Sequence, residues 1–168
     1  MDLERLQEAF QQIRQGGYFP LGWLATVDPS GSPKVRTVKV LGFNWLQRQF
    51  YFSCHQRHDK LKHFAARPEA ELCLVAPGIG LQLRLSCSVE TCGEEKSSPM
   101  RQRFWETTSP KSKIQLYGTH PRLERPPSCF VLVTLIAQEA ELLELHSEEP
   151  KRWSFRDLAS DRAESRAL

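Results

Sequence analysis

The sequence predicts a mainly β fold, a small antiparallel barrel of about six strands with flanking helices, and three observations predict it. Leu81-Gln82-Leu83-Arg84-Leu85-Ser86-Cys87-Ser88-Val89-Glu90 alternates apolar and polar residues without a break, so Leu81, Leu83, Leu85, Cys87 and Val89 would share one face of a sheet. Leu24-Ala25-Thr26-Val27-Asp28 and Lys34-Val35-Arg36-Thr37-Val38-Lys39-Val40 are β-branched, apolar-rich runs joined by Pro29-Ser30-Gly31-Ser32-Pro33, the composition of a hairpin. The strands also follow one another without the strand–helix alternation of a parallel sheet.

Taken in order, Leu3, Leu6, Phe10 and Ile13 recur at helical spacing and predict an amphipathic helix over residues 2–14, stopped by Gly16-Gly17. Tyr18 to Val27 enters the first strand, with Trp23 and Leu24 as core candidates. Asp28 to Pro33 turns, and Lys34 to Val40 is the second strand. Asn44 to Arg48 reads as a connection and Gln49 to Cys54 as the third strand. Lys60, Leu61, Phe64 and Ala65 indicate a short helix closed before Pro68. Ala70 to Val75 is a strand, broken by Pro77-Gly78-Ile79-Gly80 ahead of the alternating run. Met100, Phe104 and Trp105 give helical spacing to residues 94–108. Ser109 to Pro127 reads as a long Pro/Gly/basic connection, a length often kept for function. Cys129 to Ile136 is a near-continuous apolar strand, suited equally to a core or an interface. Glu139 to His146 is a weaker strand and Lys151 to Arg156 a last short one. One domain over residues 1–156 and a polar tail over 157–168 complete the organisation.

A chain of 168 residues can bury a proper core, and 40% hydrophobic with 26% charged residues is ordinary for a soluble globular protein. No apolar run reaches the roughly 20 residues of a membrane span, and the first residues do not resemble a signal peptide, so the expected location is cytoplasmic without membrane contact. A net charge of +3 suits a few anion-binding cations and does not call for a nucleic-acid partner. The five cysteines form no CxxC pair and no Cys/His ligand spacing, which predicts reduced structural thiols and no metal. His55, His58, His63 and His120 read as surface polar residues.

There is no Ser/His/Asp spacing, P-loop or dinucleotide fingerprint. What remains is a set of cations and amides on strands or beside them: Arg36, Lys39, Lys60, Gln82, Arg84, Arg152 and Arg156. Arg36 and Gln82 stand out, each in a strand whose other face is apolar. The order of strand, basic loop and helix start around Cys54 to Lys60 gathers cations and backbone N–H groups where a phosphate would sit. The segment from Leu24 to Lys60 therefore reads as the holder of a phosphorylated cofactor.

The ordered series Leu24-Ala25-Thr26-Val27-Asp28, Gly31-x-Pro33, Arg36-Thr37-Val38, Phe52-Ser53-Cys54, Lys60, Arg67-Pro68, then Gln82 with Val89-Glu90 resembles the pyridoxamine 5′-phosphate oxidase superfamily, the FMN-binding split barrels. The resemblance covers about residues 1–156 and is greatest to the short oxidase-related FMN-binding members. It implies a homodimer with FMN at the interface. Arg36, Thr37, Val38 and Lys39 would line the FMN, with Arg36 on its phosphate. Ser53 and Cys54 would approach the ribityl phosphate, and Lys60 would add a second positive charge. Gln82 would hydrogen-bond the polar edge of the flavin, and His146 falls where a flavin-contacting Trp would stand. Arg152-Trp153-Ser154-Phe155-Arg156 carries the Arg-x-x-x-Arg spacing, which places Arg156 on FMN and Arg152, with Ser154 and Trp105, toward substrate.

The chain departs from that pattern in places. His58-Asp59-Lys60 stands where Ser-Arg-Lys is usual, Leu41 takes the place of a substrate-phosphate lysine, and Phe104 to Ser112 lacks the substrate clamp. The resemblance therefore implies an FMN-dependent, oxidase-like oxidoreductase acting on a small molecule more than oxidation of pyridoxamine 5′-phosphate itself. Two rivals stay open: a flavin or haem carrier without turnover, and a single-strand nucleic-acid binder, for which Leu81 to Glu90 lacks the exposed aromatics.

Overall fold

Alternating burial along the strands builds one curled antiparallel sheet whose inner face is apolar. The computed structural model describes residues 2–96, 98–145, 150–158 and 164–167; His146 and the side chain of Leu3 lie outside what it describes. The elements run α1 (Asp2–Gly16), β1 (Leu21–Val27), β2 (Pro33–Lys39), β3 (Gly42–Asn44), β4 (Gln49–His55), α2 (Lys60–Ala66), β5 (Glu69–Ala76), a 3-10 turn (Pro77–Ile79) and β6 (Leu81–Cys92). They continue with α3 (Pro99–Glu106), α4 (Pro110–Tyr117), β7 (Phe130–Glu144), β8 (Lys151–Arg156) and β9 (Glu164–Ala167). The strand order is β2-β1-β5-β6-β7-β4-β3, with β8 on β7 and β9 on β8.

β7 holds this split barrel together. One edge pairs with β6 along its length; the other pairs with β4 from Phe130 to Ile136 and with β8 from Ala140 to Glu144. Between the two partners the register with β6 shifts at Ser86/Cys87, and Gln138 is left over as a bulge. The bulge kinks the strand where it changes partners. Gln138 and Glu139 also break the apolar pattern, which is why one fifteen-residue strand reads in sequence as two.

The core lies between the sheet and α1. Leu6, Ala9, Phe10 and Ile13 are buried against Leu24, Leu72, Leu74, Leu83, Leu85 and Leu142. Phe10 stacks on Trp45 and meets Phe43 and Phe50 edge-on. A second cluster of Tyr51, Phe104, Trp105, Tyr117, Phe130 and Leu132 lies under α3 and α4. Within the strand expected over Cys129 to Ile136, Phe130, Val131, Leu132, Val133 and Leu135 are buried in the two clusters, and Ile136 is partly exposed.

Several expectations change. Trp23 belongs to the outer face of β1 and is 36% exposed, while Leu24 is fully buried as expected. The connection from Ser109 to Pro127 contains α4, and the stretch read as a polar tail contains β9. The short β3 was not foreseen. All five cysteines are free, with Cys54 and Cys87 buried and Cys73, Cys92 and Cys129 partly so. His63 is 6% exposed and so is not a surface residue.

Candidate functional site

Alternation along β2 turns Arg36 and Val38 inward and Thr37 and Lys39 outward. Arg36 lies opposite Leu24 on β1. Its Nη1 donates to Thr26 Oγ1 at 2.6 Å and to the Leu24 carbonyl at 3.3 Å. Thr26 Oγ1 is in turn 2.8 Å from Nδ1 of His63 on α2. Lys60 opens the same helix, with Nζ 3.1 Å from His58 Nδ1.

Burial holds Arg36 below its ordinary value. Burial also lowers Lys60; the neighbouring Cys54 opposes that shift and the Arg36 charge adds to it. Cys54 beneath them is pushed up to about 11 by burial, with Lys60 pulling the other way, so it is a neutral thiol at physiological pH. Asp59, which departs from the family pattern, turns away: its carboxylate holds Lys62 at 2.9 Å, and that hydrogen bond keeps it below the usual carboxylate range.

Arg36 and Lys60 thus set two partly buried positive charges near one another. Among the described residues neither has a carboxylate within ion-pair distance. Desolvated like charges without a counter-ion are unfavourable until an anion joins them. Both protein hydrogen bonds of Arg36 use Nη1, which leaves its Nε–Nη2 edge for bidentate donation to a phosphate-like group. The residues present fit a phosphate.

The remaining expected residues lie elsewhere. Ser53 faces the second cluster, where its Oγ accepts from Tyr117 at 2.8 Å. Burial pushes Tyr117 up to about 12, so its phenol stays a donor. The outer sheet face carries a directly opposed row of Thr37, Trp23, Cys73, Arg84, Glu141 and Ser154, with Lys39 on β2 and Gln82 beside Val75. Arg84 bridges Glu71 and Glu141, and Arg152 stands 3.8 Å from Glu141. Arg152, Ser154 and Arg156 share that face because Trp153 and Phe155 turn inward. Trp105, expected at substrate, is instead fully enclosed, and its Nε1 donates to the Leu123 carbonyl at 2.8 Å. Sequence reasoning missed Thr26 and His63. A Thr on the inward register of a strand otherwise occupied by Leu24 was the available signal for the first. His63, one turn after Lys60, offered none.

Among the described residues no group of three or more His, Cys, Asp or Glu is placed to hold a metal, and no helix is long and apolar enough to cross a membrane.

Fold and site together define a split β-barrel with a pair of partly buried cations, Arg36 and Lys60, at the junction of β2, β4 and α2. The chain belongs to the pyridoxamine 5′-phosphate oxidase family, whose model matches residues 6–134. A pyridoxine/pyridoxamine 5′-phosphate oxidase of Ralstonia pickettii is 28% identical over 144 residues, 84% of this chain but 63% of that enzyme. The chain therefore spans less than two thirds of this curated relative. The crystal structure of a pyridoxamine 5′-phosphate oxidase-related, FMN binding protein from Nostoc punctiforme superposes with a TM-score of 0.86 at 24% identity, over 98% of this chain and 95% of that one. PhzG from Burkholderia lata, solved with tetrahydrophenazine-1-carboxylic acid, gives 0.79 at 16% identity, over 99% of this chain and 90% of that one. Both likenesses are of fold.

Proposed function

We propose that this chain binds FMN and works as a homodimeric, flavin-dependent oxidoreductase on a small molecule. The observation that carries the reading is the pair Arg36 and Lys60, two desolvated cations whose bonded partners are neutral. Arg36 receives the cofactor phosphate on its free edge, and Lys60 adds charge from the helix side. β2 is the edge of the sheet, so its unpaired backbone groups beside Thr37 and Val38 can bond the flavin ring. When bound, FMN supplies the redox chemistry, taking electrons or hydride from the donor.

Distance supports the dimer. Four strands separate β2 from β8, which puts Arg152, Ser154 and Arg156 about 24 Å along the sheet from the Arg36 strand. A second copy packed on the outer face brings its own β8 groups and Gln82 to the cofactor. The exposed Tyr18, Leu21, Trp23 and Val35 give that face an apolar strip to bury.

Visible absorption of the purified protein with added FMN is the first test, and flavin bands should co-elute with a dimer. A protein that ignores FMN and takes up haem overturns the flavin reading in favour of the carrier. Arg36→Ala should weaken FMN binding by about 1.5–3 kcal/mol, the range for a charged hydrogen bond. Unchanged affinity in a flavin fluorescence titration removes Arg36 from the phosphate. Reduction of the bound flavin by a small amine or nicotinamide donor, followed by reoxidation in air, tests turnover; a flavin that no donor reduces leaves a carrier.

A further inference from the structure

We infer that Thr26 and His63 are positioning residues for the anion site, forming a directional hydrogen-bond relay from Arg36 through Thr26 into His63. The inference rests on the proposed phosphate role of Arg36. The relay is short and enclosed: 2.6 Å from Arg36 Nη1 to Thr26 Oγ1 and 2.8 Å onward to His63 Nδ1, with Thr26 4% and His63 6% exposed. A guanidinium can only donate, so Thr26 Oγ1 accepts from it. A hydroxyl that accepts from a cation becomes a better donor, and the acceptor in reach is Nδ1, which puts the imidazole proton on Nε2. The reverse polarity would give Thr26 two incoming donors and strand its own proton in a buried site.

The relay joins three elements. Arg36 is on β2, Thr26 on β1 and His63 on α2, one helical turn after Lys60 and on the same side of that helix. It therefore sets the guanidinium against the helix that carries the second cation. It also commits Nη1 to the protein, which keeps the Nε–Nη2 edge free of protein hydrogen bonds. An arginine fixed in this way gives up little rotamer freedom when an anion arrives.

The test compares FMN with riboflavin, which lacks the phosphate, in fluorescence titrations. Thr26→Val should weaken FMN about ten-fold, leave riboflavin affinity unchanged, and add nothing when combined with Arg36→Ala. Thr26→Ser should keep FMN affinity, and His63→Asn, which returns a polar group near the Nδ1 position, should recover what His63→Leu loses. Equal FMN affinity for Thr26→Val and wild type overturns the relay while leaving the phosphate reading intact. A wild type that binds FMN and riboflavin alike overturns the phosphate reading itself, and the positioning role with it. Should Thr26→Val fail to fold, the 15N spectrum of His63 in the cofactor-free wild type decides: an unprotonated, hydrogen-bonded Nδ1 is expected, and a protonated Nδ1 overturns the relay.

Discussion

Asp28 shows what a single side chain contributes to the hairpin that presents Arg36. Its Oδ1 accepts from Ser30 Oγ at 2.6 Å and from the amides of Ser30 and Ser32 at 2.9 Å, while Gly31 takes the left-handed conformation that closes the turn. The Ser30 hydroxyl first, then the Ser32 amide, hold the carboxyl down at about 2. The folded value lies below the unfolded one, so the unfolded chain binds the proton first. The stabilisation is present above about pH 4 and is lost as the pH falls toward 2. Asp28→Asn should therefore flatten the loss of stability over that range, measured by urea denaturation at stepped pH; curves of equal slope would remove Asp28 as the cause. Arg36 was legible at this scale because a cation sat in a strand with an apolar face. The inward neighbours that orient it were not, since only the fold brings α2 over β1.

Helix and strand boundaries carried clear signals where the chemistry was local, and weaker ones where it was spatial. The alternation of β6 maps directly onto its burial. α4 had equally local signals: Ser109 caps it by accepting from the Ser112 amide, Pro110 starts it, and Gly118 ends it in the left-handed conformation. The surrounding Pro, Gly and basic residues masked that pattern. Gly16-Gly17 does end α1, although for a different reason. Neither glycine has a positive φ. A Cβ on Gly17 would overlap the Val75 carbonyl oxygen and lie 2.8 Å from that of Ile13. The glycine lets the helix end press directly on β5. Backbone cannot yield as a flexible side chain can, so Gly17→Ala should cost about 1–3 kcal/mol in chemical denaturation. A neutral substitution would mean that α1 can shift without loss.

Across the whole molecule, the two faces of the sheet divide the work. The inner one packs the large cluster under α1. The outer one buries Tyr51, Phe130 and Leu132 under α3 and α4 at its β4–β7 end and carries Trp23, Val35 and the Glu71–Arg84–Glu141 network at its β2–β1 end and middle. Trp23 was misplaced in sequence because an aromatic in a strand reads as core, and only the register with Thr37 and Cys73 shows which way it points. A charge at that position should oppose self-association. Trp23→Glu is expected to shift the proposed dimer toward monomer in sedimentation at fixed concentration, with its fold intact by circular dichroism. A variant that stays dimeric would place the subunit contact elsewhere.

The strand that serves three partners has a consequence for how the chain comes off the ribosome. The β4 edge opposite β3 finds its hydrogen-bonding partner in Phe130 to Ile136, far downstream, and the free edge of β6 waits for the same strand. Until β7 has been synthesised, an apolar hairpin and a half-finished sheet stand open to other nascent chains. Such non-local closure is slow and exposes the chain to misassociation, so the fold's closing step is a long-range pairing rather than a local one.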